Sequence, residues 1–166
     1  MISKPLIFYY LICFIFSSKL PTFSDYPIKT IYKGPFAKVN LKSDPSAKMF
    51  RTNLRNAVSN GINYAGHYSI AIWGCGTECQ QYAIVNVKTG DVIFPKDRAS
   101  MTTEGMIFRA DSKLLILDPI TKGTVEYYEN DLPNWLITRF YILENGKLNL
   151  IDSSKTVREY EDQIRP

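Results

Sequence analysis

Short apolar runs separated by tight turns fill the second half of the chain, and this pattern constrains the fold more than any other feature. Residues 136–143 and 147–151 are two such runs, joined through Asn145 and Gly146. An Asn-Gly pair between apolar runs predicts a β-hairpin, because a type I′ turn needs positive φ at both central residues. Strands joined by so short a turn are antiparallel.

Further runs with strand-like composition precede that hairpin. They cover residues 68–72, 81–87, 92–95, 106–109, 113–117 and 123–128. The 11 Tyr and 9 Phe of the chain agree with strands, because a pleated surface packs aromatic rings well. Successive hairpins predict an antiparallel meander that forms one curved sheet or a partly closed barrel.

Helical spacing is clearest over residues 45–60. Asp44 is a favourable N-cap, Pro45 suits the first helical position, and Asn60-Gly61 is a natural stop. Apolar residues recur on one side of this segment: Ala47, Phe50, Leu54, Ala57 and Val58. A basic stripe lies on another face: Lys48, Arg51 and Arg55. We interpret the stripe as a solvated outer face, with an anion or partner site as the alternative.

A second, shorter helix is predicted at the C-terminus, where Val157, Tyr160 and Ile164 have helical spacing. The predicted fold class is therefore α+β and mostly antiparallel β. In this fold the helix of residues 45–60 packs on the meander sheet or partly closed barrel.

The first 24 residues have the pattern of an export signal. Lys4 precedes an unbroken apolar run over residues 5–16, which is too short to span a bilayer comfortably. Thr22 and Ser24 place small residues at the −3 and −1 positions of a cut before Asp25. We therefore expect an exported protein, periplasmic or secreted, with no stable membrane span after signal removal. An uncleaved anchor and a buried N-terminal strand are the alternatives.

The length of 166 residues fits one domain, here residues 25–166. The formal net charge is +4, and Lys4 and Lys19 of the leader contribute two of those charges. The remaining +2 does not favour a nucleic-acid partner, which usually meets a clustered basic face.

The loop between the first two strong strands stands out because it holds Cys75 and Cys79, the only cysteines beyond the leader. In an oxidising compartment the simplest use of such a pair is a local disulfide. So short a ring contributes about 2 kcal/mol by the loop-entropy relation, before any strain is subtracted. Its larger effect would be to hold one loop shape. The candidate binding residues are His67, Trp73, Thr77, Glu78, Gln80 and Gln81.

Three sharper interpretations compete with a structural disulfide. Redox enzymes normally show Cys-x-x-Cys at a helix N-terminus, whereas Cys75 and Cys79 are spaced Cys-x-x-x-Cys between strands. A zinc site with His67 would have only three nitrogen or sulfur ligands, and structural zinc takes four. A nucleophilic cysteine with His67 as base would need one thiol to stay free. We therefore predict no catalytic residues, no metal and no cofactor.

The segment Asn63-Tyr64-Ala65-Gly66-His67-Tyr68 is followed by Trp73-Gly74-Cys75-Gly76-Thr77 and Cys79-Gln80-Gln81. With the piece Phe108-Arg109-Ala110-Asp111-Ser112-Lys113-Leu114-Leu115, the chain resembles an uncharacterised family of small exported proteins of Gram-negative bacteria. The resemblance covers roughly residues 45 to 150. It implies an exported bacterial protein and carries no activity with it.

The leading hypothesis is an exported, non-catalytic binding domain that holds an unknown protein or envelope component with the clamped loop. An inhibitor- or immunity-type protein would fit the size, the export and the lack of motifs, as an analogy with that class of proteins only. The alternative is an exported enzyme that uses Cys75 or Cys79 with His67, either a hydrolase or a thiol oxidoreductase. A purely structural envelope protein is a third possibility.

Overall fold

A computed structural model of the chain describes residues 19–160. The apolar run of the predicted leader and Ile164 of the predicted C-terminal helix lie outside the described residues. The helices are α1 (Arg51–Ser59) and α2 (Lys122–Tyr127), and short 3-10 turns occur at Phe23–Asp25 and Asp97–Ala99. The strands are β1 (Tyr68–Gly76), β2 (Cys79–Asn86), β3 (Val92–Ile93), β4 (Met101–Thr102), β5 (Met106–Phe108), β6 (Leu114–Leu117), β7 (Thr138–Glu144) and β8 (Lys147–Ser154).

The strands form two antiparallel sheets of four strands each. In sheet 1, β1 pairs with β2, and both β3 and β4 pair with the other edge of β2. In sheet 2 the order β5-β6-β7-β8 follows the sequence, which is a meander. Over residues 19–160 neither sheet closes into a barrel. The predicted α+β, mostly antiparallel β class is confirmed, with two sheets in place of one.

The two sheets bury one face each in a common central core. Strands β1 and β2 of sheet 1 contribute Ile70, Tyr82 and Ile84, and sheet 2 contributes Phe108, Leu115, Leu117, Tyr141 and Leu143. Because side chains alternate across a strand, the neighbours of these residues point to the opposite faces. Those outer faces must then be covered by other parts of the chain.

Helix α1 covers the outer face of sheet 1. Its buried residues Leu54, Ala57 and Val58 pack against alanines and valines of β1 and β2. The buried hydroxyl of Ser69 on β1 donates to the carbonyl oxygen of Ala57, 2.7 Å away. The small residue Ala71 also lies on this face, so the helix packs closely on the sheet.

Residues 20–26 cover the outer face of sheet 2. Phe23, 8% exposed, packs with Leu114, Ile116 and Phe140, and we call this group the N-terminal core. The hydroxyl of Ser112 lies 3.0 Å from the carbonyl oxygen of Phe23, which fixes the segment to the sheet. The predicted cut before Asp25 falls inside this packed segment.

Helix α1 begins later than the sequence predicts. The carboxylate of Asp44 accepts a hydrogen bond from the Ser46 N–H at 2.8 Å, and residues 45–50 form turns. Asp side chains stabilise such turns by bonding the backbone two residues on, which competes with helix initiation. The helix therefore begins at Arg51 and ends at Ser59.

The strand predicted over residues 123–128 is wrong, because this segment forms α2. The Thr121 hydroxyl caps that helix by accepting from the Thr124 N–H at 3.2 Å. Residues 155–160, where the second helix was predicted, are also not helical; β8 extends to Ser154 instead. The backbone N–H of Arg158 then donates to Ile120 O at 2.9 Å, which holds this segment against the connection between β6 and α2. Within residues 19–160, neither helix has the length and apolar character that a membrane crossing requires.

Candidate functional site

The hairpin of β1 and β2 ends in a turn that a disulfide clamps. Cys75 and Cys79 are bonded to each other across Thr77 and Glu78, with 5.1 Å between their Cα atoms. The register shifts between Gly74 and Gly76, and Gly76 has a φ of +135°, a conformation that favours glycine. The predicted disulfide is confirmed, and it closes the exposed end of the longest hairpin of sheet 1.

Trp73 supports this hairpin end from the side of α1. Its indole Nε1–H donates to Gln81 Oε1, 3.3 Å away on the paired strand. Its ring stacks on Phe50, with ring centroids 4.4 Å apart and planes 25° apart. Phe50 is the N-cap residue of α1, so the indole connects the hairpin end to the start of that helix. These contacts make Trp73 a support of the loop.

Two tyrosines of α2 and its C-cap bind carboxylates at the same end of the molecule. The Tyr127 hydroxyl donates to Glu78 Oε1 at 2.9 Å, and the Tyr128 hydroxyl donates to Glu104 Oε1 at 2.8 Å. The two rings meet edge to face, with centroids 4.9 Å apart. The phenols therefore tie the clamped turn to α2.

Both phenols have a raised pKa and stay protonated well above neutral pH. The hydrogen bond to the Glu78 carboxylate raises the pKa of Tyr127. Loss of hydration, followed by the hydrogen bond to Glu104, raises the pKa of Tyr128 to about 12. A protonated phenol is a hydrogen-bond donor, so each carboxylate keeps its tyrosine partner over the physiological range.

A buried ion pair fixes the loop that carries Glu104. Asp118 Oδ1 accepts from the Thr102 hydroxyl at 2.6 Å and from the backbone N–H of Thr103 and Glu104 at 2.7 and 2.9 Å. Its other oxygen pairs with Arg139 of β7. Arg139 in turn donates to the backbone carbonyl oxygens of Arg98, in the 3-10 turn before β4, and of Met101 in β4. The clamped turn, α2 and this loop therefore have fixed positions at one end of the molecule.

Sequence reasoning found part of this site and missed the rest. The predicted residues Trp73, Thr77, Glu78, Gln80 and Gln81 all lie at the hairpin end, with Gln80 opposite Thr102 of β4. The missed residues are Glu104, Tyr127 and Tyr128. Reading residues 123–128 as a strand hid the two tyrosines, and the Thr121 cap was the signal that could have revealed their helix.

His67 lies far from the clamped turn. It comes just before β1, and Cys75 lies near the other end of that strand, eight residues on. At ~3.3 Å per residue the two are roughly 26 Å apart. His67 instead lines a separate cavity of about 330 Å³ with Lys113 and Glu144. Burial, and then the positive charge of Lys88, lowers the pKa of His67.

The geometry does not bring together the residues that a cysteine enzyme or a metal site would need. Both sulfur atoms of Cys75 and Cys79 are used in the disulfide. Within residues 19–160, no group of three or more His, Cys, Asp or Glu side chains is placed to hold a metal ion. The hairpin end is thus a polar and aromatic surface with fixed hydrogen-bonding groups.

Neither a protein-family model, nor a curated protein, nor a solved structure matches this chain.

Proposed function

We propose that the protein is an exported, non-catalytic binding domain that holds a protein or envelope component at the clamped end of the β1–β2 hairpin. One observation carries this proposal: an exposed turn is restrained from three sides. The Cys75–Cys79 disulfide closes it, Trp73 supports one of its strands, and Tyr127 holds Glu78.

These restraints favour binding because ordering a loop costs free energy. A flexible loop loses conformational entropy when it binds, and that loss reduces the affinity. Here the covalent ring and the Glu78–Tyr127 hydrogen bond order the turn in the free protein. The restraints on this turn contribute little to the packing of the core, because residues 74–78 are all exposed.

The surface beside the turn presents an exposed aromatic side chain. Tyr127 is 65% exposed, and aromatic side chains are enriched at protein interfaces, where they contribute much of the binding energy. Glu78 and Glu104 each use one carboxylate oxygen for a tyrosine. Their second oxygens make no hydrogen bond to a described residue, so they remain for donors on a partner.

Export is part of the proposal and is supported by the leader pattern and by the disulfide. Disulfides persist in oxidising compartments and are rare in the reducing cytosol. The enzyme alternative would need Cys75 or Cys79 to be free and His67 to lie beside it. The bonded sulfurs and the length of β1 separate those groups, so the binding domain is the better supported function.

Site-specific photo-crosslinking in the native host tests the proposal. A benzophenone amino acid replaces Thr77 in the clamped turn, and in a control variant it replaces Thr89 in the exposed turn before β3. We expect one ultraviolet-dependent product from position 77 and none from position 89. The product should decrease at least fivefold when Cys75→Ser and Cys79→Ser are combined with the label.

Purified components then confirm the interaction. The partner identified by mass spectrometry should bind the wild-type protein directly, and more weakly when Glu78→Lys removes the restraint and reverses the charge. Equal crosslinking from both positions, or undiminished crosslinking without the disulfide, would contradict a role for the clamped turn.

A further inference from the structure

A second surface lies on the α1 side of the molecule, and its charge differs from that of the segment that carries sheet 2. Residues 32–60, which cover the outer face of sheet 1, contain six Lys or Arg and a single acid, Asp44. Residues 103–160 contain nine acids and seven bases. The weak net charge of the whole chain therefore conceals a local basic surface around α1.

A groove runs along this basic surface, between α1 and the segment before it. It has a volume of about 570 Å³, and its apolar lining consists of Phe36, Ala37, Val39 and Val58. Phe36 is 42% exposed, so its ring is only partly covered by the protein. Small-molecule sites have volumes of roughly 300–1,000 Å³ and mostly apolar linings, and this groove has both properties.

The groove is formed by two anchored elements. The backbone N–H of Ala37 donates to Val87 O of sheet 1 at 2.8 Å, and Asn40 N–H donates to Gly90 O at the same distance. On the other side, Leu54 of α1 is fully buried against the sheet. Both walls therefore hold their positions in the free protein.

Two cations, Lys38 and Arg55, line the groove beside the apolar residues. Neither makes an ion pair or a side-chain hydrogen bond with another residue of the part that the structure describes. Both side chains are exposed, one on each wall. An apolar groove with two uncompensated cations is complementary to a ligand that has an apolar tail and a single anionic head.

We propose that this groove binds a single-chain anionic amphiphile of the fatty-acid type, with the tail along Phe36 and Val58 and the carboxylate between Lys38 and Arg55. The groove volume of about 570 Å³ has room for one such chain. This site is separate from the hairpin end. The stacked Trp73–Phe50 pair marks the start of α1, and Val58 lies near its other end.

Titration of the purified protein with dodecanoate, below its micelle concentration, tests this assignment by calorimetry. We expect one binding site, and affinity that falls about fifteenfold for decanoate, which is two methylenes shorter, since each buried methylene contributes about fourfold. Dodecyltrimethylammonium, which has the same chain length and the opposite charge, should not bind at this site.

Variants separate the groove from the general basic surface. Arg55→Glu should weaken dodecanoate binding at least tenfold, whereas Lys48→Glu, with the same charge change outside the groove, should change it less than twofold. Ser59→Trp lines the groove with a bulky ring and keeps both cations, so it should also weaken binding tenfold. All three residues are exposed, and thermal melts check that the variants fold.

Three results would overturn the proposal. Equal weakening by Lys48→Glu and Arg55→Glu would indicate diffuse surface attraction. Binding that is independent of chain length would exclude the groove as the tail site. Binding to anionic phospholipid vesicles without any binding of monomeric dodecanoate would assign the surface to a membrane instead.

Discussion

Two buried tyrosines in the central core differ in whether their hydroxyl has a partner. The Tyr64 hydroxyl donates to Lys113 O at 2.6 Å. The Tyr82 hydroxyl is buried and makes no hydrogen bond within residues 19–160. A buried polar group without a partner loses its hydration and gains nothing in return. The same substitution should therefore have different consequences at the two positions.

We expect Tyr82→Phe to leave the free energy of unfolding unchanged or to raise it by up to about 1 kcal/mol. Tyr64→Phe, the matched control, should lower it by about 1 kcal/mol, because the carbonyl of Lys113 loses its donor. Urea denaturation of both variants measures the difference. A loss for Tyr82→Phe as large as that for Tyr64→Phe would mean that the Tyr82 hydroxyl has a partner.

The same residues predict how stability depends on alkaline pH. Burial raises the pKa of Tyr64 and of Tyr82 well above the usual value near 10. Above pH ~10 the unfolded chain releases protons that the folded protein keeps, so the free energy of unfolding falls as the pH rises. Urea midpoints measured from pH 8 to 11 should decrease, and less steeply in Tyr82→Phe. An identical decrease in that variant would contradict the assignment.

Asp118 should be important for stability because it is charged, bonded and nearly buried. The side chains of Asp118 and Arg139 are 7% and 14% exposed. Asp118→Asn keeps the shape and tolerates the φ of 51°, but it leaves the Arg139 cation uncompensated. We expect a loss of about 3 kcal/mol, measured by urea denaturation.

An exposed pair provides the control for that substitution. Asp111 and Arg109 form a salt bridge with side chains 50% and 39% exposed. Exposed pairs contribute at most about 1 kcal/mol, so Asp111→Asn should cost much less than Asp118→Asn. Equal losses at the two positions would show that burial of the Asp118 pair does not decide its contribution.

At the scale of single elements, local chemistry explains which predictions succeed. The β7–β8 hairpin follows from Asn145 and Gly146, which take φ values of 50° and 71° as a type I′ turn requires. The core-facing strand β2 follows from a run of apolar residues. In both cases the determining residues lie within a few positions of one another, so the sequence alone contains the information.

Helix α2 is an element whose structure the local sequence predicts wrongly. Its sequence contains Gly123, Thr124, Val125 and Tyr127, which are poor helix formers or favour strands. Thr124 is buried, and its hydroxyl bonds Thr121 and the carbonyl oxygen of Pro119. The cap and this burial outweigh the intrinsic preferences. For that reason the sequence did not predict Tyr127 and Tyr128 as residues of the site.

At the scale of the whole molecule, both outer sheet faces are covered by parts of the chain that precede β1. Residues 20–26 pack on sheet 2, and residues 32–59 pack on sheet 1. Contacts between residues that are far apart in the sequence decide which segment covers which sheet face. Such contacts leave no periodic pattern, so the division into two sheets could not be predicted from the chain.

The N-terminal segment gives a prediction at this scale. A chain that begins at Asp25 loses Leu20 and Phe23 from the N-terminal core. We expect it to be about 3 kcal/mol less stable than a chain that begins at Lys19, since truncation of a buried Phe costs that much. Urea denaturation measures the difference. Phe23→Ala in the longer chain should reproduce most of the loss, and Ser24→Ala, at an exposed position, should not.

Equal stability of the two chains would show that the segment contributes no packing energy, and would support the predicted signal boundary at residue 24. A large loss favours a boundary upstream of Leu20, because a mature protein should keep the residues that complete its core.

We propose that the protein acts outside the cytosol with its hairpin turn closed by the Cys75–Cys79 disulfide. The most direct test is the intact mass of the protein from its own host, alkylated before and after reduction. We predict that the N-terminal leader is missing and that Cys75 and Cys79 react only after reduction. A retained leader, or a cysteine that is alkylated before reduction, would contradict this proposal.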